Sequence, residues 1–529
     1  MATGVKKGAT ASTTIIIVVG CLVFANLISV NLFTRADLTD SGIYSLSEAS
    51  KELVHNLTDR VVIKCYFTED LPPPYNQNAR YLKDQLAEYR AYSGGKLQVE
   101  FVDPAQTDRE QEAQQYRIPP VQVNAYESDR LEIKKVYMGM VFLYEDRTEV
   151  LPVLQSTAGL EYEISRTIRK ITSASMPRIA FVTGHGESDL QQTLKNINQV
   201  LSREYIITPL DLANQTEIQS NIDAVLIVSP KAAFSEWELF LLDQYLMKGG
   251  KVGFFIDKFN CDIQNNSSTP ISTGLGDLLR KYGVGINDDL VLDALCARIG
   301  VQQQTGFFRI QNQVEFRYFP RVTDFQEENV IVKGFDGLTF TFISSLDTAV
   351  AVPQGVQREI LAWSSELSAA EKDPFNFDPF REFGRADLDR QHIPLVAAMT
   401  GQFPSYFSGM GIPMYTGTDT TFNPATVVKV DSSMTTRMIV VGDGDFAEDR
   451  NMSSQSNLVF FMNVVDWLSQ DEGLISIRSK QVASRPLDEI SSGWKRVIKY
   501  SNILAMPILV IMFGVIRWRI RKSNKKRRL

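Results

Sequence analysis

Residues 13–33 read TTIIIVVGCLVFANLISVNLF, an apolar run whose strongly polar interruptions are Asn26 and Asn31. In a helix its length matches a bilayer core, so it predicts a first membrane span. Residues 500–518, YSNILAMPILVIMFGVIRW, predict a second. There Pro507 kinks the helix, Lys499 and Arg517 snorkel, and Trp518 suits an interface. Between these runs the pattern changes to short apolar strands separated by amphipathic helices.

Ser47 caps a predicted helix over 48–57. An apolar strand follows over 61–67, then a helix over 78–92 with Tyr81, Leu82, Leu86 and Tyr89 on one face. Gly94 and Gly95 stop that helix, and 97–102 is the next strand, completing a β-α-β unit. Strands over 134–144 and 149–153 form a hairpin around Glu145 and Asp146, and a helix over 161–172 closes this part. A second series begins at Pro177: strand 178–183, helix 188–201, strand 205–210, strand 224–228, helix 235–247 and strand 251–256. Its strands are apolar on both faces, which predicts an open parallel sheet covered by helices. Residues 273–282 and 288–291 extend that layer. Periodicity weakens over 302–407, rich in Phe, Pro and Gln, and returns with strand 437–441 and helix 458–469.

The predicted fold is α/β, with extracytoplasmic open parallel-sheet domains flanked by two transmembrane helices. It runs from a cytoplasmic N-terminus (1–12) through the first span (13–33) to an N-terminal extracytoplasmic α/β domain (34–174). The main domain, flavodoxin- or amidotransferase-like, comes in two parts (175–300 and 411–489) around an inserted β-rich or irregular lobe (301–410). A membrane-proximal helix (490–499), the second span (500–518) and a basic cytoplasmic tail (519–529) complete the chain.

Charge adds an orientation. Residues 517–529 hold eight basic residues and no acidic one. By the positive-inside rule both termini are then cytoplasmic, with the chain in a bacterial inner membrane and its bulk outside the cytoplasm. The chain carries −7 overall, but 34–493 has 42 Lys plus Arg against 62 Asp plus Glu, so this part is a poor partner for nucleic acid. A rival reading of the first span is a lipoprotein signal with Cys21 lipidated; the apolar run continuing past Cys21 argues against it. Cys65, Cys261 and Cys296 allow at most one disulfide, Cys261 with Cys296 being one candidate pairing, and the absence of CxxC argues against thiolate zinc.

Candidate chemistry lies where open α/β sheets keep their sites, at the carboxyl ends of strands. FVTGHGESDL (181–190) brings His185 and Glu187 to one corner, strand 251–256 ends at Asp257, and GDGDF (442–446) supplies Asp443 and Asp445. These five are the candidate binding residues. A catalytic alternative uses His185 and Glu187 in a hydrolase or metal-dependent enzyme. Against it, the chain has three histidines, no G-x-S-x-G and no cysteine at an elbow beside a histidine. The simpler reading is that Gly184 and Gly186 permit a turn, while Glu187 and Asp189 favour the helix that follows. Asp443 and Asp445 either hydrogen-bond their own loop or bind a cation. No catalytic residue, metal or cofactor is assigned.

The segments DLTDSGIYSLSEAS (37–50), YLKDQLAEY (81–89), VTGHGE (182–187), LIVSPKAAFSEWELFLLDQYLMKGGKVGFFID (226–257) and VVGDGDFAED (440–449) occur in a characteristic order. With NLVFFMNVVDWLSQDEGLISIRSK (457–480), they make the chain resemble the bacterial gliding-motility-associated ABC-transporter auxiliary or substrate-binding proteins (GldG-like) across nearly its whole length. The resemblance implies a non-catalytic, membrane-anchored subunit working with an ABC permease and a cytoplasmic ATPase, in gliding or envelope export. It implies an unidentified envelope substrate or protein partner, and it brings no known role for any residue. Two spans are too few for a translocation pathway and no Walker motif occurs, so pore and engine belong to partners. Asn26 and Asn31 would help the first span meet a permease. A structural scaffold of an envelope complex is the remaining alternative.

Overall fold

The computed structural model describes residues 45–469 apart from 105–106, 128–129, 155, 158, 174–175, 306–307 and 452–454, together with 473, 475, 477, 499, 501, 512–515 and 517–519. The first part comprises α1 (Glu48–His55), β1 (Val61–Phe67), α2 (Tyr75–Tyr92), β2 (Leu97–Val102), α3 (Thr107–Gln115), β3 (Val121–Glu127), β4 (Arg130–Val136), β5 (Met138–Tyr144), β6 (Arg147–Leu151) and α4 (Leu160–Thr172). Its sheet has the order β2-β1-β5-β6; β1 and β2 pair in parallel, and the other neighbours are antiparallel. The strand expected over 134–144 is divided at Tyr137, with β4 turning away to pair with β3. Leu82, Leu86 and Tyr89 of α2 and Ile164, Ile168 and Ile171 of α4 cover the buried face of this sheet.

The second part continues with β7 (Arg178–Thr183), α5 (Lys195–Leu201), β8 (Ile206–Asp211), β9 (Ala224–Val228), α6 (Glu236–Met247), β10 (Val252–Phe255), β11 (Phe259–Asp262), β12 (Ser267–Pro270), α7 (Leu275–Tyr282), β13 (Gly285–Ile286) and β14 (Leu290–Asp293). Then follow β15 (Cys296–Thr305), β16 (Phe308–Val322), β17 (Asp324–Phe325), β18 (Leu338–Thr339), β19 (Leu346–Asp347), β20 (Val356–Trp363), β21 (Ser368–Glu371), β22 (Pro394–Gly401), β23 (Thr436–Val441) and α8 (Gln455–Leu468).

One eight-stranded sheet dominates, ordered β17-β20-β22-β23-β10-β9-β7-β8. The five strands β8, β7, β9, β10 and β23 are mutually parallel and take the 2-1-3-4-5 order of flavodoxin-like sheets. Side chains alternate between two apolar layers, as the pleat requires. Ile179, Phe181, Leu226, Phe255 and Val441 meet α5 and α8, whereas Ala180, Val182, Val225, Phe254 and Val440 meet α6 and α7. That two-sided cover is why β9 (AVLIV) and β10 (VGFF) are apolar and buried at every position.

Two expectations are corrected. First, the main sheet is mixed rather than open and parallel, because β22, β20 and β17 continue it antiparallel from β23. The segment read as an inserted lobe thus supplies strands to the main sheet. The physical reason is that β20 (VQREILAW) keeps charged residues on its outer half and is buried only toward its end, so its strand signal is weak.

Second, the structure is a mixed α/β fold of several sheets, and no helix among the described residues is long and apolar enough to cross a membrane. The two flanking spans, the inner-membrane location and the cytoplasmic placement of both termini are therefore not supported. The expectation rested on apolar run length, basic flanks and Trp518, which suit a segment to a span without fixing it as one long helix. Residues 13–33 lie outside the described residues, as do most of 500–518.

Candidate functional site at the carboxyl ends of the parallel strands

In the 2-1-3-4-5 order, ligands enter the crevice between the ends of strands 1 and 3, here β7 and β9. The turn after β7 places Gly184 at φ 115° and Gly186 at φ 76°, conformations that favour glycine. This aims the backbone of His185 at β9. The Lys231 and Ala232 N–H groups both donate to the His185 carbonyl at 2.8 Å, and the Ser188 N–H donates to the Val228 carbonyl at 3.0 Å. The crevice is bridged by main-chain hydrogen bonds.

The His185 side chain is equally committed. Nδ1 lies 3.2 Å from Glu187 Oε1, Nε2 lies 3.1 Å from Glu238 Oε1, and the ring stacks on Phe234 at 3.9 Å between centroids. Glu187 also accepts the His185 N–H through Oε2 at 2.7 Å. Glu238 is fixed in turn by the capping box of α6, accepting the Ser235 N–H at 2.7 Å while Ser235 Oγ accepts the Glu238 N–H. The hydrogen bond to Glu187 raises the imidazole pKa; burial opposes this, and the Glu238 charge adds to the rise. Both ring nitrogens are thus engaged by carboxylate partners within the chain.

A second group forms at the ends of β9, β10 and β23. Ser229 leaves β9 at φ 56°, and its Oγ sits 2.5 Å from Asp257 Oδ2 and 2.7 Å from Asp445 Oδ1. Lys231 Nζ reaches the same two oxygens at 2.8 and 3.2 Å. Asp257 Oδ1 accepts the Gly444 N–H at 2.7 Å. Burial, then the Asp445 charge, raises the pKa of Asp257. Burial would also raise Asp445, but Lys231 and the Ser229 hydroxyl outweigh it and hold it low. Lys231 loses solvent yet keeps a raised pKa because both carboxylates favour its charge. The Ser229 hydroxyl has one proton to donate, so it serves as donor to one of the two carboxylates at a time.

Asp443 faces elsewhere. Its Oδ2 accepts the Thr341 N–H and its Oδ1 accepts the Phe446 N–H at 2.9 Å, in full burial that pushes its pKa well up. The structure therefore joins Asp257 to Asp445 and keeps His185 with Glu187 in a separate group. The two groups are linked through backbone and loop contacts. Ser188 Oγ donates to Glu448 at 2.9 Å, and Asp449 caps α5 by accepting the Lys195 and Asn196 N–H groups at 3.0 and 3.1 Å.

Gly444 makes this meeting possible. A Cβ there would stand 2.6 Å from the Ser229 nitrogen and 2.7 Å from the Phe255 carbonyl oxygen, both backbone atoms. Gly444→Ala is expected to cost about 1–3 kcal/mol of folding stability, read as a lower urea midpoint at unchanged slope.

Four participants were not picked out from sequence: Ser229, Lys231, Phe234 and Glu238. The run Ser229-Pro230-Lys231, directly after a wholly apolar strand, and the spacing Ser235-x-x-Glu238 were their available signals. A cleft of about 680 Å³ opens beside Asp257, between Lys258, Phe259, Thr273, Gly276 and Lys372. Both Asp257 carboxylate oxygens nevertheless bond within the chain. Among the described residues no group of three or more His, Cys, Asp or Glu is placed to hold a metal ion, and Cys261 and Cys296 are free thiols.

Comparison with known proteins places this architecture. The model of a family described as an ABC-type uncharacterized transport system matches residues 176–469, more than half of the chain. A domain of unknown function matches residues 40–143. An uncharacterized protein of Borreliella burgdorferi (strain ATCC 35210 / DSM 4680 / CIP 102532 / B31) is 23% identical over 534 residues, covering 98% of this chain and 99% of its own. Among solved structures, the mmIFT52 N-terminal domain aligns with TM-score 0.32 and 16% identity, over 55% of this chain and 97% of that one. An exo-β-1,4-mannosidase from Opitutaceae bacterium strain TAV5 aligns with TM-score 0.23 and 12% identity, over 74% and 50%. With the family model spanning both halves of the eight-stranded sheet, the chain belongs to the family of the ABC-type uncharacterized transport system.

Proposed function

We propose that the chain is a non-enzymatic auxiliary subunit of an ABC-type transport system, acting beside a permease and an ATPase that it does not itself provide. Family membership supports the transport part and the association with such partners. Within the family, the ordered segments quoted above favour the gliding-motility-associated (GldG-like) branch.

The observation that carries the non-catalytic part is the bridged switch-point crevice. The His185 carbonyl accepts two N–H groups from the β9 loop, and both ring nitrogens face carboxylates. His185, Glu187, Asp257, Asp443 and Asp445 then act by tying strand ends to loops, holding the domain rigid for recognition by partners. Hydrolysis by His185 and Glu187 would require releasing them from the contacts that bind them to each other and to Glu238, and that alternative is dropped.

The test is isolation of the tagged full chain from the cells that produce it, with quantitative mass spectrometry of co-isolated proteins. An ABC-type ATPase and permease enriched with the chain is the expected result. Enrichment of neither, with the chain itself intact and abundant, would contradict the transport reading.

A further inference from the structure

The outward face of α2 carries exposed side chains at Asn76, Arg80, Lys83, Ala87 and Arg90. Steps of four, three, four and three residues keep them on one stripe about 21 Å long. Leu82, Leu86 and Tyr89 fill the opposite face and hold the helix on its sheet. The stripe lies within residues 40–143, the part matched by a domain of unknown function.

Lys51, Lys64, Lys135, Arg166 and Lys170 of this part are all held in ion pairs. Among the described residues Arg80, Lys83 and Arg90 have none. Lys83 lies instead 5.1 Å over the ring of Phe101, which is 36% exposed on the edge strand β2. Of the two carboxylates on α2, Glu88 is buried and accepts the Leu46 N–H at 3.0 Å. Asp84 stands about 100° around the helix axis from Lys83, so the stripe itself holds no acid. We propose that this stripe docks an acidic helix of a partner protein, with carboxylates repeating every three or four residues.

Charge complementarity sets the sign of the occupant, since three unpaired cations face outward from a chain that is −7 overall. Width selects a helix. Screening limits the reach of each charge to about 8–10 Å, and a helix about 10–12 Å across stays within it. An anionic bilayer or a nucleic-acid duplex would also cover the acidic surroundings. Carboxylates three and seven residues apart on the partner match Arg80, Lys83 and Arg90, while Ala87 allows close approach and Phe101 offers an aromatic contact. A second copy of this chain offers α3 as an acidic helix, but Glu110 and Glu112 there are already paired with Lys135 and Lys64.

Fluorescence anisotropy of the purified full chain with synthetic labelled peptides tests this. The first peptide is an alanine-rich helix with glutamates alternately three and four residues apart. The second has lysine at those positions, and the third keeps the glutamates but is interrupted by proline. The glutamate helix is expected to bind, and the other two to bind weaker by about tenfold or more. Arg80→Glu, Lys83→Glu and Arg90→Glu together should abolish that binding and let the lysine helix bind instead. Circular dichroism should not change, because all three side chains are exposed. Reversing Arg203, Arg385 and Arg390, exposed in the second part, should alter binding by less than about threefold. A glutamate helix that does not bind, a stripe variant that binds it like wild type, a second variant that loses it equally, or an interrupted peptide that binds as tightly would each overturn the proposal. Flotation with phosphatidylserine vesicles that is lost on reversing the stripe would also overturn it, making the occupant a lipid surface.

Discussion

Lys231→Met is expected to lower the unfolding free energy by about 3 kcal/mol at neutral pH. Methionine keeps most of the stem's packing but removes the ammonium that reaches Asp257 at 2.8 Å and Asp445 at 3.2 Å. Two buried carboxylates then share the single proton of Ser229. Removing one partner of a buried ion pair costs about 3–5 kcal/mol, and the low end applies because Lys231 is about one-third exposed. The sign with pH follows from Asp257, whose pKa is already raised in the folded state. Without Lys231 it rises further, so protonation relieves the repulsion and the variant regains stability relative to wild type as pH falls. Urea titrations at neutral and acidic pH check this. A loss below about 1 kcal/mol at neutral pH would mean that solvent replaces the ammonium.

The second large effect is His185→Leu, expected to cost about 3 kcal/mol at pH 6. It leaves the Glu187 and Glu238 carboxylates facing one another without the imidazolium between them. Wild-type stability carries the signature of a raised histidine pKa. Its contribution is fully present below the unfolded value of about 6.5 and is lost as pH rises through the folded value. The gap between wild type and His185→Leu should therefore narrow from pH 6 toward pH 9. A gap that stays constant would mean that His185 contributes by packing on Phe234 rather than by charge.

Much of the parallel sheet was legible because burial on both faces leaves no room for polar positions. Strand 178–183 and strand 224–228 coincide with β7 and β9 for that reason. The corner at GHGE was legible from its two glycines, each at positive φ. Other features escaped for physical reasons. Residues 188–194 do not continue a helix, because the loop bends to meet Glu448 and Asp449 before α5 begins at Lys195. The antiparallel strands β20 and β22 join the sheet from either side of a long irregular stretch, so periodicity could not connect them. Lys231 and Glu238 were invisible as site residues because their partners lie on other strands, at separations that follow from topology rather than spacing. The reading of 13–33 and 500–518 as membrane spans rested on run length, basic flanks and Trp518, and most of these positions lie outside the described residues.

The role proposed for the strand-end carboxylates is to hold the fold rather than to contact transport partners. Asp445→Asn is the most direct probe, since it removes one charge at the cluster and keeps an amide able to bond Lys231's neighbours. Wild type and variant, each tagged and isolated under conditions where both are folded, are compared by the ratio of ABC-type ATPase to chain. The account predicts equal ratios for the two. A ratio reduced by about tenfold in a variant that is still folded would contradict it, because the cluster would then itself take part in recognition.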